Sequence, residues 1–219
     1  MTSSSSTNYK DSPFGEAIHP WLNKPDTKFD DRGTGGEFKV ALAIEGSAGG
    51  EAMFNDVSAA SQKAFDDWMA DEKGGLKLPK LKREEFKVYC PAHVERDENT
   101  GEPTGRYVFD FRQNAKIKLR DGTFKDITIG LYDSTGKGAV TRGIWSGSII
   151  RVRYAMRAIP MPGLKQVGVR LDFASVQVRK FGGQQNQQQG GGFEADPEGE
   201  AVEEGMGPDN GSVGGGADY

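Results

Sequence analysis

The sequence predicts a mostly β chain: a partly open five-stranded barrel with a helical insertion after its first strand and a disordered acidic tail. Three observations carry this. Apolar and polar residues alternate through five stretches between positions 37 and 181, the period of half-buried strands. One long segment, Glu51 to Glu72, has helical spacing instead. Residues 182–219 hold eight Asp and Glu, no Lys or Arg, and many glycines, a composition that cannot bury enough surface to fold.

In chain order, residues 1–36 read as an irregular N-terminal segment. Pro13, Pro20 and Pro25 interrupt it, and Gly33, Gly35 and Gly36 close it. The first strand is Glu37 to Glu45, with Phe38, Val40, Leu42 and Ile44 on one face. After a turn at Gly46 to Gly50, the helical insertion places Phe54, Val57, Ser61, Phe65 and Trp68 on one side and ends before Gly74-Gly75. Leu76 to Arg83 is a basic connector, and Phe86 to Val94 an extra short strand. Asp97 to Gly105 is a turn-rich loop. Arg106 to Leu119 is a long strand with Tyr107, Phe109 and Phe111 on one face. Asp121-Gly122 signals a hairpin, followed by Phe124 to Tyr132. Ser148 to Ile159 alternates Ile150, Val152, Tyr154 and Met156 against Arg151, Arg153 and Arg157. Pro160 to Gly163 turns the chain into the last strand, Val167 to Phe181, bulged near Ala174. The barrel domain is thus 37–181, followed by a Gly/Gln linker at 182–192 and the acidic tail at 193–219.

A chain of 219 residues suits one domain plus appendages. The single cysteine, Cys90, excludes an intrachain disulfide. No apolar run is long enough to span a membrane, and the Ser/Thr-rich start has no apolar core of a secretory signal. The net charge of −4 conceals a strong asymmetry. Residues 1–105 carry net −6, residues 106–181 net +10, and residues 182–219 net −8. A basic block joined to an acidic tail points to a polyanion-binding surface with its own competitor attached.

Enzyme signals fail one by one. Cys90 and His93 have a metal-like spacing, but a closed zinc site needs four ligands and the other histidine, His19, is remote; Cys90 reads as a plain buried residue. Gly136-Lys137 lacks the earlier glycine and the following Ser or Thr of a phosphate loop. No serine sits in a nucleophile-elbow context. No cofactor or metal is expected, and the chain is not expected to be an enzyme.

A binder of single strands without sequence preference needs cations along a groove and aromatic platforms for bases. The basic block has both. Lys116, Lys118 and Arg120 alternate at one strand end, and Arg151, Arg153 and Arg157 on another; for Arg151 and Arg153 neither strand partner nor turn supplies an obvious acid. Tyr107, Phe109, Phe111 and Trp145 are the candidate stacking platforms; Tyr154 lies on the apolar face and reads as core. A five-stranded barrel with such a face is the oligonucleotide-binding (OB) fold. Two other readings stay open: an OB-like module that docks an acidic protein, and a DNA-processing nuclease.

The chain resembles the replicative single-stranded DNA-binding proteins of podovirus-type bacteriophages. The residues carrying the resemblance are Lys24-Pro25-Asp26, Arg32-Gly33, Phe38-Lys39-Val40, Asp133-Ser134-Thr135-Gly136-Lys137, Arg151-Val152-Arg153-Tyr154 and Val169-Arg170-Leu171. It runs from about Lys24 to Phe181, and the tail matches in character only. The resemblance implies an OB fold and a role in phage DNA replication, recombination or repair, in the cytoplasm of the infected bacterial host. It also implies a tail that competes for the DNA groove and contacts the phage DNA polymerase and primase-helicase. Tyr219 with Asp218, Glu203 and Glu204 would make that contact; a homodimer stays open. The family's aromatics between its last two strands are replaced here by Ile159 and Met161, and the tail is richer in glycine than the resemblance implies.

Overall fold

Alternation puts Phe38, Val40, Leu42 and Ile44 on one side of a strand, and all four are buried in the computed structural model of the chain. The structure describes residues 8–28, 30, 33–71, 80–119 and 121–183. The linker from Gln184 onward and the acidic tail, with Tyr219, Asp218, Glu203 and Glu204, lie outside the described residues, as does Arg120. The strands are β1 (Lys10–Asp11), β2 (Gly15–Asp26), β3 (Glu37–Glu45), β4 (Lys87–Tyr89), β5 (Ala92–Arg96), β6 (Pro103–Asn114), β7 (Lys116–Lys118), β8 (Phe124–Asp126), β9 (Gly130–Tyr132), β10 (Ile149–Met161) and β11 (Gln166–Lys180). The helices are α1 (Gly50–Ala70) and the single-turn α2 (Lys80–Arg83). No helix among the described residues is long and apolar enough to cross a membrane.

Five strands close a ring. β2 pairs antiparallel with β3, and β3 with β6. β6 meets β11 in parallel at Phe111 and Leu171. β11 pairs along its length with β10, and β10 returns to β2 at Ile149 and Ile150. The inward residues of all five strands form one core, from Leu42 and Ile44 through Phe109, Phe111, Ile150 and Val152 to Leu171 and Phe173. Phe111 sits at its centre, edge-on to Tyr154 at 5.4 Å and to Phe173 at 6.5 Å. Burial pushes the Tyr154 hydroxyl up to about 12, as expected for a phenol out of water.

The ring has five strands as the sequence predicts, but one member differs: β2 stands where Phe124 to Tyr132 was expected. Its first strand is β2, inside the segment read as irregular. Pro20 and Pro25 misled because they sit where the ladder with β3 is itself broken, between Ile18 and Trp21 and between Trp21 and Asp26. Gly15 is required there, since a Cβ would lie 2.4 Å from the Ala43 carbonyl oxygen. The stretch Phe124 to Tyr132 is not a ring strand. It splits into β8, which forms a separate hairpin with β7, and β9, which pairs in parallel with the Ser175 to Gln177 part of β11. The break begins at Ala115, whose N–H donates to Gly36 and whose carbonyl accepts from Ile127. β11 is bulged as expected: Arg153 faces Ser175 and Tyr154 faces Phe173, leaving Ala174 without a partner.

The helical insertion follows β3, now the second strand of the ring. Its buried stripe is Met53, Val57 and Ser61, with Phe54 tilted against Tyr107 at 5.1 Å. Gly50 starts the helix because a Cβ there would meet the Ile44 and Glu45 carbonyl oxygens at 2.7 Å. The single strand expected at Phe86 to Val94 is two, β4 beside β11 and β5 beside β6.

Candidate nucleic-acid interface

The residues that alternate with the core point outward, and the register lines several of them up. Trp21 on β2 lies opposite Lys39 on β3, and Lys39 opposite Arg112 on β6. β6 meets β11 in parallel at Phe111 and Leu171, and Arg112 is joined to Arg170 on β11 through the Glu37 carboxylate, 3.2 Å from the first and 3.9 Å from the second. Arg170 in turn faces Arg157 on β10. One tryptophan and four cations thus run across all five strands of the ring. The described residues of the β2–β3 loop (27, 28, 30 and 33–36) and the β10–β11 turn flank this row, as the corresponding loops flank the ligand face of OB folds.

Each cation in the row is held by a carboxylate. Lys39 Nζ lies 2.6 Å from Asp26 Oδ2. That hydrogen bond, helped by the Lys28 N–H, keeps the Asp26 carboxyl below the usual carboxylate range. Arg112 donates to Glu37 at 3.2 Å. Arg170 donates to Asn114 at 3.1 Å and to Asp172, which also accepts from Arg157. The Lys39–Asp26 and Arg170–Asp172 pairs are half-buried; the Arg112–Glu37 and Arg157–Asp172 pairs are open to solvent at their arginines and are worth about 0–1 kcal/mol each. They orient the guanidinium groups yet cost little to exchange for a phosphate.

At the β2 end of the row the surface turns aromatic. Trp21 is 45% exposed and Trp145 59% exposed. With Pro20, Leu22, Lys24 and Ile144 they line one apolar pocket. Asn23 fixes the two walls together: its amide donates to the Arg142 carbonyl at 3.1 Å, and the Ile144 N–H donates to its oxygen at 3.0 Å. Gly143 lets the Trp145 ring fold back, since a Cβ there would lie 2.9 Å from Nε1. Two large rings held open to solvent beside cations are what base stacking requires.

The sequence-predicted residues divide. Arg157 belongs to the row and Trp145 to its aromatic end. Phe109 and Phe111 are 0% exposed; they fill the core and have no face for a base. Tyr107 is half-buried against Phe54 and is a packing residue of α1. Lys116 and Lys118 sit on the β7–β8 hairpin beside the β2–β3 loop, where the Lys116 side chain lies against Gly35. Arg151 and Arg153 line a different cleft, with Asp11, Tyr132 and Gln177. The expectation of no nearby acid fails for Arg153: Asp11 accepts two hydrogen bonds from it, at 2.8 and 3.0 Å; Arg157 is likewise held, by Asp172. Both acids are far in sequence or across a ladder, so the local pattern does not show them. Trp21, Lys39, Arg112 and Arg170 escaped the sequence reading as site residues. For Lys39 and Arg170 one signal was present: each stands between two apolar, inward residues.

No protein-family model matches the chain, and no curated protein matches it. Among solved structures it is similar to the single-stranded DNA-binding protein encoded by bacteriophage T7, with a TM-score of 0.65 and 18% identity over 90% of this chain and 100% of that one. It is also similar to the single-stranded DNA-binding protein from bacteriophage Enc34 in complex with single-stranded DNA, with a TM-score of 0.49 and 12% identity over 78% and 86%. The first likeness establishes that this chain shares its fold with the T7 protein.

Proposed function

We propose that the outer face of the ring binds single-stranded DNA without sequence preference, in phage DNA replication. The observation that carries this is the pair of exposed tryptophans, Trp21 and Trp145, at the end of a row of four cations. Cations placed by a strand register meet phosphates at any sequence. Aromatic rings stack on any base. The shared fold with a protein named for single-stranded DNA binding supports the same reading.

The test uses the tryptophans themselves. Trp68 packs against Phe86 at 4.7 Å on the helical insertion, so quenching on DNA addition reports mainly Trp21 and Trp145. Oligo-dT should quench the emission, and Trp21→Ala should weaken binding by roughly 1–3 kcal/mol with little change in melting temperature. A folded Trp21→Ala, Trp145→Ala double variant that binds oligo-dT as the parent does would refute the stacking face.

The proposal extends to the acidic segment 193–219. Its eight carboxylates, tethered through a Gly/Gln-rich linker, would compete with DNA for the row at an effective concentration on the order of millimolar. DNA would release it, and its Tyr219 end would then engage the phage polymerase or primase-helicase in the infected cell. Truncation after Gly192 should tighten DNA binding at low salt, where charge is least screened, and abolish polymerase contact. Weaker DNA binding after truncation would overturn this extension.

A further inference from the structure

We propose that the cleft of Arg151 and Tyr132, with Arg179 beside it on the Phe14 ring that Arg151 shares, is a second binding site for the same DNA strand, so that one chain holds two consecutive stretches of it. This rests on the reading of the ring face as a single-stranded DNA site.

The cleft lies at the other end of the β10–β11 ladder from Arg157 and Arg170. Its cations are held differently from those of the row. Arg151 Nε donates to Gln177 Oε1 at 2.7 Å, and Gln177 donates onward to the Ser134 carbonyl at 2.8 Å. Arg179 lies over the Phe14 ring at 3.6 Å, and Arg151 over the same ring at 5.0 Å. Among the described residues no carboxylate forms an ion pair with either one, whereas all four cations of the row have one. A neutral amide and an aromatic face therefore fix the two guanidinium groups, and the acid of the cleft, Asp11, is hydrogen-bonded to Arg153 and not to either of them. A phosphate arriving at Arg151 or Arg179 breaks no ion pair of theirs, and Arg forks suit phosphate geometry. Tyr132 is 39% exposed beside them. Its ring folds over Gly130, where a Cβ would lie 2.8 Å from it. The cleft thus supplies cations and a ring side by side, the two things a nucleotide of a single strand offers partners for.

The strand's route follows from β10. Arg157, at the end of the row, and Arg153, at the rim of the cleft, are four residues apart, roughly 13 Å at about 3.3 Å per residue. A strand leaving the row at Arg157 meets Arg153 next. There the Asp11 carboxylate occupies the guanidinium fork, in the position a phosphate would take.

The experiment measures full-chain affinity for oligo-dT of about 6 and about 16 nucleotides, lengths spanning the site sizes of OB folds. The variants are R151Q with R179Q, and separately Asp11→Asn. The glutamine pair should leave the short oligomer's affinity unchanged, weaken the long one at least tenfold, and flatten its salt slope by roughly 1.4, at about 0.7 per lost phosphate. Asp11→Asn should tighten the long oligomer only. If the glutamine pair melts early, R151K with R179K keeps the charges and should restore long-oligomer binding. Parental binding of both lengths by a folded glutamine pair, or equal weakening of both lengths, would overturn the second site. Failure of the parent to bind either length would instead refute the function on which the proposal rests.

Discussion

Glu37→Gln should make this protein bind DNA more tightly. The Glu37 carboxylate accepts from Arg112 at 3.2 Å and stands 3.9 Å from Arg170, so one acid restrains two cations of the row. Glutamine keeps the shape and the Arg112 hydrogen bond but removes the charge. An ion pair at this separation in a water-like dielectric is worth about 1 kcal/mol, so the loss of fold stability should stay near or below that. The same charge is what a phosphate must overcome at Arg112. Removing it should tighten oligo-dT binding by about 1 kcal/mol, roughly fivefold. If a further phosphate then docks, the log–log salt slope steepens by about 0.7. Fluorescence anisotropy at two salt concentrations, with a melting curve for each protein, reads all of this. Weaker binding by a variant that melts as the parent does would refute the reasoning, because it would make Glu37 a DNA contact rather than a competitor.

Three other outcomes follow. Phe111→Ala should cost about 3–5 kcal/mol of stability, as truncation of a core aromatic does; a normal melting temperature with reduced DNA affinity would return Phe111 to the surface. Ser61 Oγ is buried on α1 with no hydrogen-bond partner among the described residues, so Ser61→Ala should stabilise the fold by about 1 kcal/mol, raising the melting temperature by about 2–4 °C; a fall instead would reveal a partner. The Arg153 hydrogen bonds hold the Asp11 carboxyl below its ordinary value, so the pair stabilises the fold above about pH 4 and loses that contribution as pH falls through the lowered value. The melting-temperature gap between the parent and Asp11→Asn should be present at neutral pH and close in acid; a gap that widens in acid would contradict the pairing.

Wherever burial alone decides, the sequence was a good guide. Phe38 to Ile44, Ile150 to Tyr154 and the helical stripe around Val57 all face the core as their periods require, and even the unpaired Ala174 was foreseen. The difficulties come from long-range partners. β2 hides behind Pro20 and Pro25, because a broken ladder tolerates prolines that a regular one rejects. Phe109 and Phe111 share an alternating face with Tyr107, and alternation shows which residues lie together, not whether that face is inside. Only closure of the ring through β11 decides it. The row itself is a property of register: Trp21, Lys39, Arg112, Arg170 and Arg157 come from five strands, and nothing in any one strand marks them as neighbours. The acids that hold Arg153 and Arg157 were missed for the same reason.

The central claim is that this face grips a single strand through exposed rings and cations. The most direct test is the affinity of the full chain for a single-stranded oligomer and for the duplex of the same sequence, each at low and at moderate salt. The account predicts clear preference for the single strand at both salts, because a duplex offers phosphates but keeps its base faces stacked away from Trp21 and Trp145. It also predicts a salt slope of roughly −2 to −3.5, from about 3 to 5 phosphate contacts. Equal affinity for the two, or binding without any salt dependence, would contradict it.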